Sequence, residues 1–215
     1  MEINGFTLTL KKIIISGFLL SCIFSYSFAQ RDEGASLGIR AGMNYSFLDF
    51  ILADEELLPG ISLGLFSKAP VDGKFYLQPE ISGSMQNIRA TVNIDEDHFK
   101  YKLSFIYAES TFLGVYNFTE RVAIHAGPFI SYLVHLELKK ESSFTDEYNF
   151  FARSDFFDVN TGLIYGAALE FKWFDVGMRF NHGLFVTGKH VETSPRPDLL
   201  QTRNSFLQLY GTVLF

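Results

Sequence analysis

Ala35-Ser36-Leu37-Gly38-Ile39-Arg40-Ala41-Gly42-Met43-Asn44-Tyr45-Ser46-Phe47 puts its apolar residues at odd positions and Ser, Gly, Arg and Asn at even ones. A period of two marks a β-strand whose faces meet different surroundings. Working outward, the pattern recurs seven times. Ile61, Leu63 and Leu65 alternate with Ser62, Gly64 and Phe66. Phe75, Leu77, Pro79, Ile81 and Met85 alternate with Tyr76, Gln78, Glu80, Ser82, Ser84 and Gln86. A fourth strand, about 101–116, starts with Tyr101, Leu103 and Phe105 against Lys102 and Ser104. Its alternation falters at 106–109, where a bulge is expected. A fifth runs from Val122 to Leu136, with His125 and His135 expected on one face. Further strands start near Val159 and Val176, and the last ends at Phe215.

The connections differ in length. Segments 69–74, 117–121 and 172–174 are short, as hairpin turns are, whereas 49–59, 87–100, 139–157 and 187–203 are long and polar. Three short turns on one side and four long loops on the other match a barrel with short periplasmic turns and longer extracellular loops. The expected fold is all-β: an eight-stranded antiparallel up-and-down transmembrane β-barrel.

A soluble ligand-carrying barrel also has one apolar stripe, turned inward. The polar stripe argues against that arrangement. It is rich in Gly, Ser, Asn and Gln, small groups suited to the crowded interior of an eight-stranded barrel, and poor in the Lys and Glu of a water-facing surface. The apolar stripe then faces lipid. Aromatics collect near strand ends as interfacial girdles: Phe66, Phe75, Tyr116, Phe118, Phe171, Trp173 and Phe174 at one rim, Tyr45, Phe47 and Tyr101 at the other.

Composition agrees. Of 215 residues, 47% are hydrophobic and 20% charged, which excludes disorder. One Cys excludes a disulfide scaffold and a multi-cysteine zinc site. A net charge of −6 argues against nucleic acid as a partner. Lys11-Lys12 precede the apolar run Ile13–Phe24, which ends in Ser27-Phe28-Ala29 before Gln30. This is the plan of a secretory signal peptide. Residues 1–29 are expected to be cleaved, leaving 30–215 as the barrel domain with a net charge of −7. Leu19-Leu20-Ser21-Cys22 is also compatible with lipidation at Cys22, although apolar residues continue beyond it.

The stretches Leu37–Ser46, Tyr76-Leu-Gln-Pro-Glu-Ile81, Ile124-His-Ala-Gly-Pro-Phe129, Gly162–Phe171 and Val176–Gly183 resemble the PorT-like family of outer-membrane β-barrel proteins. The resemblance covers essentially all of 35–215. The chain departs at Ala108-Glu-Ser-Thr111, where family members often read Leu-Glu-Ile-Pro. The family implies an outer-membrane location and an eight-stranded barrel, with no catalytic residues to transfer. The final aromatic, Phe215, corresponds to the signal read by the outer-membrane barrel assembly machinery.

Arg40, Glu80, Glu109, Glu170 and Arg179 lie on polar stripes of different strands and are expected to form an ion-pair network plugging the lumen, since unpaired buried charges are costly. Phe144, Tyr148, Phe150, Phe151, Phe156 and Phe157, in the long loop 139–157, are the expected contact surface for an unidentified envelope partner. His125 and His135, about 33 Å apart along one strand, cannot share a metal. Asp95-Glu-Asp-His98 lacks the spacing and the Gly of a calcium loop. No nucleophile elbow or phosphate loop is present, so no catalytic, metal or cofactor residue is assigned. The expected molecule is a non-enzymatic monomer in contact with outer-membrane lipids, structural or partner-binding through its loops, within an envelope or secretion assembly. A small solute or ion channel is the rival. A membrane hydrolase or acyltransferase drawing on Ser131, His125 or His182 is the weaker one.

Overall fold

The computed structural model describes residues 35–48, 53–94, 97–140, 153, 156–187 and 203–215. They form eight strands: β1 (Ser36–Leu48), β2 (Ala53–Asp72), β3 (Phe75–Ile94), β4 (Asp97–Asn117), β5 (Val122–Lys140), β6 (Val159–Glu170), β7 (Phe174–Val186) and β8 (Arg203–Leu214). Each pairs antiparallel with its sequence neighbours, and β8 returns to β1, closing the barrel. Beyond β8, Phe215 and Leu37 exchange two backbone hydrogen bonds of 3.0 and 3.3 Å, so the seam is paired to the end of the chain. Closure is what lipid demands, because an open edge would strand unpaired backbone groups there. The expected signal peptide, Cys22 included, lies outside the described residues.

The short turns are built by local chemistry. Gly73 adopts φ +49° between β2 and β3, a conformation that costs glycine little. Between β4 and β5, the Thr119 hydroxyl accepts from the backbone N–H of Arg121 (3.2 Å) and of Val122 (3.0 Å).

The apolar stripe points outward. Ile39, Met43, Ile61, Leu63, Leu65, Ile81, Ile124, Ile130, Leu163, Leu169, Val176, Met178, Leu209 and Val213 are all exposed. On β4 the outward run from Ile106 to Tyr116 spans about 34 Å of strand, and a tilt of about 40° makes that roughly 26 Å of height, close to the apolar band of such barrels. Phe75, Tyr116, Phe118, Phe171, Trp173 and Phe174 are exposed around the short-turn end and form the girdle there. Two residues assigned to girdles are elsewhere. Phe66 and Tyr101 are buried inside the barrel, each at an inward phase of its strand. Tyr45 is half-buried, and the Phe47 side chain lies outside the described residues.

The interior is more apolar than expected. On β4 every odd position from Tyr101 to Val115 is buried: Tyr101, Leu103, Phe105, Tyr107, Glu109, Thr111, Leu113 and Val115. The inward odd phase does not break in β4; Lys102 and Ser104 lie on the other phase, although Ser104 is covered there and buried. The bulge lies opposite, in β5, where Ile106 pairs with His135 but Tyr107 with Leu133, leaving Val134 extra. One added residue flips the phase of everything beyond it. His135 is therefore exposed while His125 is buried, and the two do not share a face; Leu136 likewise turns inward.

Much of the expected loop is strand. β2, β3 and β4 have 20, 20 and 21 residues, against 13 for β1 and 12 for β6. Ala53 pairs with Val92 and Ile94 with Asp97, so most of 49–59 and 87–100 is paired sheet continuing past the apolar band.

An outward charge in that band tests the orientation. Leu63, 63% exposed, centres the outward run Ile61, Leu63, Leu65. Leu63→Arg should destabilise the barrel by about 2–4 kcal/mol in bilayers, the cost of a cation near the midplane. Urea titration in lipid vesicles measures it, and a change near zero would place Leu63 away from lipid.

Candidate functional site

The lumen is crossed near mid-height by a charged bridge. Arg40 comes from β1, Glu80 from β3 and Arg179 from β7, each on the inward phase of its strand. Glu80 Oε1 accepts from Arg40 Nη1 and, at 2.7 Å, from Gln78 Nε2; Glu80 Oε2 accepts from Arg179 Nη1 at 2.7 Å. One carboxylate thus ties together strands on different sides of the barrel. All three groups are buried. The second cation leaves the bridge with an excess positive charge, and aromatic faces receive it. Arg40 sits 4.3 Å over the Tyr210 ring and 5.2 Å over Phe66, with Arg179 5.9 Å from the Tyr210 ring. Gly177 makes room for this stack, since a Cβ there would lie 2.5 Å from the Tyr210 hydroxyl.

The five charged residues named from the sequence separate into three groups. Arg40, Glu80 and Arg179 meet. Glu109 is buried one step away on β4, within electrostatic reach of Arg179, and accepts from the Ser84 hydroxyl. Glu170 is remote. It ends β6 near the short turns, accepting from Lys68 Nζ at 2.5 Å and Asn117 Nδ2 at 3.0 Å, while Lys68 lies 4.6 Å over the Tyr76 ring. The register explains the split: Arg179 pairs with Gly166, and Glu170 lies four residues further along β6, opposite Asp175.

Apolar layers enclose the bridge on the β4–β5 side. Toward the short turns, Leu113, Val115, Ala123, Phe129 and Ile164 form a core against Tyr76. On the other side Ile88, Leu103, Phe105, Tyr107, Leu133 and Phe206 are buried. Phe156 belongs to this layer, and not to a contact surface as its sequence position suggested. It is fully buried, edge-on to Phe105 at 5.2 Å between ring centroids. Arg153 holds the segment by donating to the Leu133 carbonyl (3.2 Å) and to the Asp158 carboxylate (2.5 Å). Phe157 is exposed, and Phe144, Tyr148, Phe150 and Phe151 lie outside the described residues.

Among the described residues, those named for the weaker catalytic reading do not come together. Ser131 donates to the Asn160 carbonyl at 3.4 Å and lies about 20 Å along β5 from His125. His182 is half-buried and stacks on Phe180 at 6.2 Å. Among the described residues no group of three or more His, Cys, Asp or Glu is placed to hold a metal ion.

Sequence reasoning missed the aromatic sandwich around Arg40, the Lys68–Glu170 pair and the inward apolar face of β4. Glu109 and Thr111 were the available signal for the last. They occupy the same odd phase as Leu103 and Phe105, so all four belong to one face.

Among solved structures, the chain is similar to Neisserial surface protein A (15% identity, 85% of this chain and 100% of that one, TM-score 0.47). It is also similar to Ail, the attachment invasion locus protein of Yersinia pestis (13%, 84% and 97%, 0.43). The N-terminal β-barrel domain of Pseudomonas aeruginosa OprF matches at 9% identity over 83% and 97%, with a TM-score of 0.31. A comparison with curated proteins gives no significant match. A family model described as "Outer membrane protein beta-barrel domain" matches residues 28–187, most of the chain. The protein accordingly belongs to the outer membrane protein beta-barrel domain family and resides in the cell outer membrane.

Proposed function

We propose that the protein is a non-enzymatic barrel of PorT-like kind, closed through its lumen, that engages an envelope partner with the sheet standing above the membrane. The observation that carries this is the height of β2–β5. From Asp97 to Phe105, about 27 Å of strand beyond the apolar band, β4 stays paired with β3 throughout and with β5 from Tyr101 onward. Strands that only need to cross a bilayer stop at about 9–11 residues. Ordering a further stretch costs backbone entropy and brings no gain in lipid burial. A rigid wall above the membrane is a surface for contact. The Arg40–Glu80–Arg179 bridge supports the closed lumen.

A photo-crosslinking residue in place of Lys100, an exposed position on the wall, tests the reading in intact envelopes. A discrete adduct with one envelope protein is expected. The same probe at exposed Phe118, on a short turn, should give none of that adduct. No adduct from position 100, or the same adduct from both sites, overturns the proposal.

A further inference from the structure

The register aligns a set of charges that no part of the lumen uses. Glu56, Arg89, Lys102 and Lys139 form one cross-strand row over β2, β3, β4 and β5, through the pairs Glu56–Arg89, Arg89–Lys102 and Lys102–Lys139. They project outward, since the neighbouring inward positions Ile88, Leu103 and Leu136 are buried. Directly opposed side chains have Cβ atoms about 4.5–5.5 Å apart, and like charges so placed repel. Three adjacent cations therefore call for counter-charge. Glu56 pairs with Arg89 at one end, and Glu137, one outward position nearer the membrane on β5 and opposite Ser104, pairs with Lys139 (2.9 Å). The hydrogen bond from Lys139 holds the exposed Glu137 carboxyl below its ordinary value. The field of the Glu137 carboxylate also reaches Lys102, in the centre, which makes no direct ion pair among the described residues, and exposed Lys100 adds a further cation one pair beyond.

The height of the row is as telling as its charge. On the outward face of β4 the apolar run begins at Ile106, with Met85 and His135 beside it in the register and exposed Val134 adjoining. Lys102 is four residues further on, about 13 Å of strand and roughly 10 Å of height at the usual tilt. Headgroups occupy the first several ångströms beyond the hydrocarbon, and a lysine reaches down to them along its flexible stem.

We infer that Lys102, flanked by Arg89 and Lys139, forms a binding site for the phosphate of a membrane lipid whose acyl chains lie on Met85, Ile106 and Val134. A soluble anion would satisfy the charge but leave the adjoining apolar surface without a role. The inference rests on the membrane-embedded barrel and not on the wall's partner, so crosslinking and lipid retention fail independently.

Native mass spectrometry of the detergent-purified full barrel, titrated with phosphatidic acid or phosphatidylcholine, tests it. One phosphatidic acid should be retained in preference to phosphatidylcholine. Lys102→Gln/Lys139→Gln should reduce its retention by about fivefold per charge removed, whereas Lys102→Arg/Lys139→Arg should keep it. Inorganic phosphate in excess should leave the lipid bound. Equal retention of the two lipids, an unaffected Gln variant that still shifts on an unboiled gel, or full displacement by inorganic phosphate would each overturn the site.

Discussion

Glu80→Ala should lower the barrel's stability by about 3–5 kcal/mol, the cost of removing one member of a buried ion pair and leaving its partners uncompensated. The side chains of Glu80 and Arg179 are 4% and 1% exposed, and Arg40 is buried beside them, so water cannot easily replace the lost carboxylate. Two guanidinium groups that now meet on one anion would face each other across the lumen. Arg40 would keep only its contacts with Tyr210 and Phe66, worth less than a charged hydrogen bond. The temperature at which the folded band disappears from an unboiled gel should fall accordingly. Glu80→Ala/Arg179→Ala should be less destabilised than the two single changes added together, because the pair is removed as a unit. Planar-bilayer recording supplies the functional arm. The unmodified protein should show no steady pore, and Glu80→Ala should conduct intermittently. A large, steady pore in the unmodified protein would mean that the bridge does not close the lumen, and an unchanged melting temperature would mean that it does not hold the walls together.

The strand count and the outward apolar stripe were legible because most strands have one greasy and one small-polar face. In β1, Leu37, Ile39 and Met43 leave no doubt which side lipid takes, and their exposure agrees. β4 was harder because inside and outside resemble each other. Its outward run includes Ala108, Ser110 and Gly114, while Leu103, Phe105 and Leu113 are buried. An average over one strand cannot order two weakly different faces, and only Glu109 and Thr111 in the inward phase decide. The β5 bulge at Val134 was unreadable from β5 alone, because its evidence is the pairing with Ile106 and Tyr107. Residues 87–94 read as loop although Ile88, Ala90, Val92 and Ile94 alternate with Arg89, Thr91 and Asn93, because a strand that only crosses a bilayer needs no more than about 9–11 residues and this one continues above it.

The charged site was legible by face and not by height. Arg40, Glu80 and Arg179 were chosen because each falls on an inward phase, and they meet. Glu170 satisfies the same criterion and does not. Its position relative to Arg179 depends on the stagger of neighbouring strands around the barrel, a property of closure and not of any one segment. Lys68 was overlooked for a related reason: phase alone gives a residue at the end of β2 no partner, whereas closure brings β6 to it.

Phe105→Ala discriminates most sharply between the two faces of β4. Phe105 is 2% exposed and touches Tyr107 and Phe156, with ring centroids 6.1 and 5.2 Å away. Truncating a ring packed among protein atoms removes its contacts and leaves a cavity, costing about 3–5 kcal/mol. Phe112 is on the same strand but 46% exposed to the outside. There acyl chains fill whatever space Phe112→Ala creates, and lipid is as apolar as the lost ring, so its cost should be much the smaller of the two. Equilibrium unfolding of both variants in the same vesicles gives the comparison directly. Phe156→Ala extends it. The edge-on contact should appear as a coupling of about 0.5–1.5 kcal/mol with Phe105→Ala in a double-mutant cycle. Equal costs for Phe105→Ala and Phe112→Ala would return Phe105 to the lipid side, and zero coupling would remove Phe156 from the mouth of the barrel.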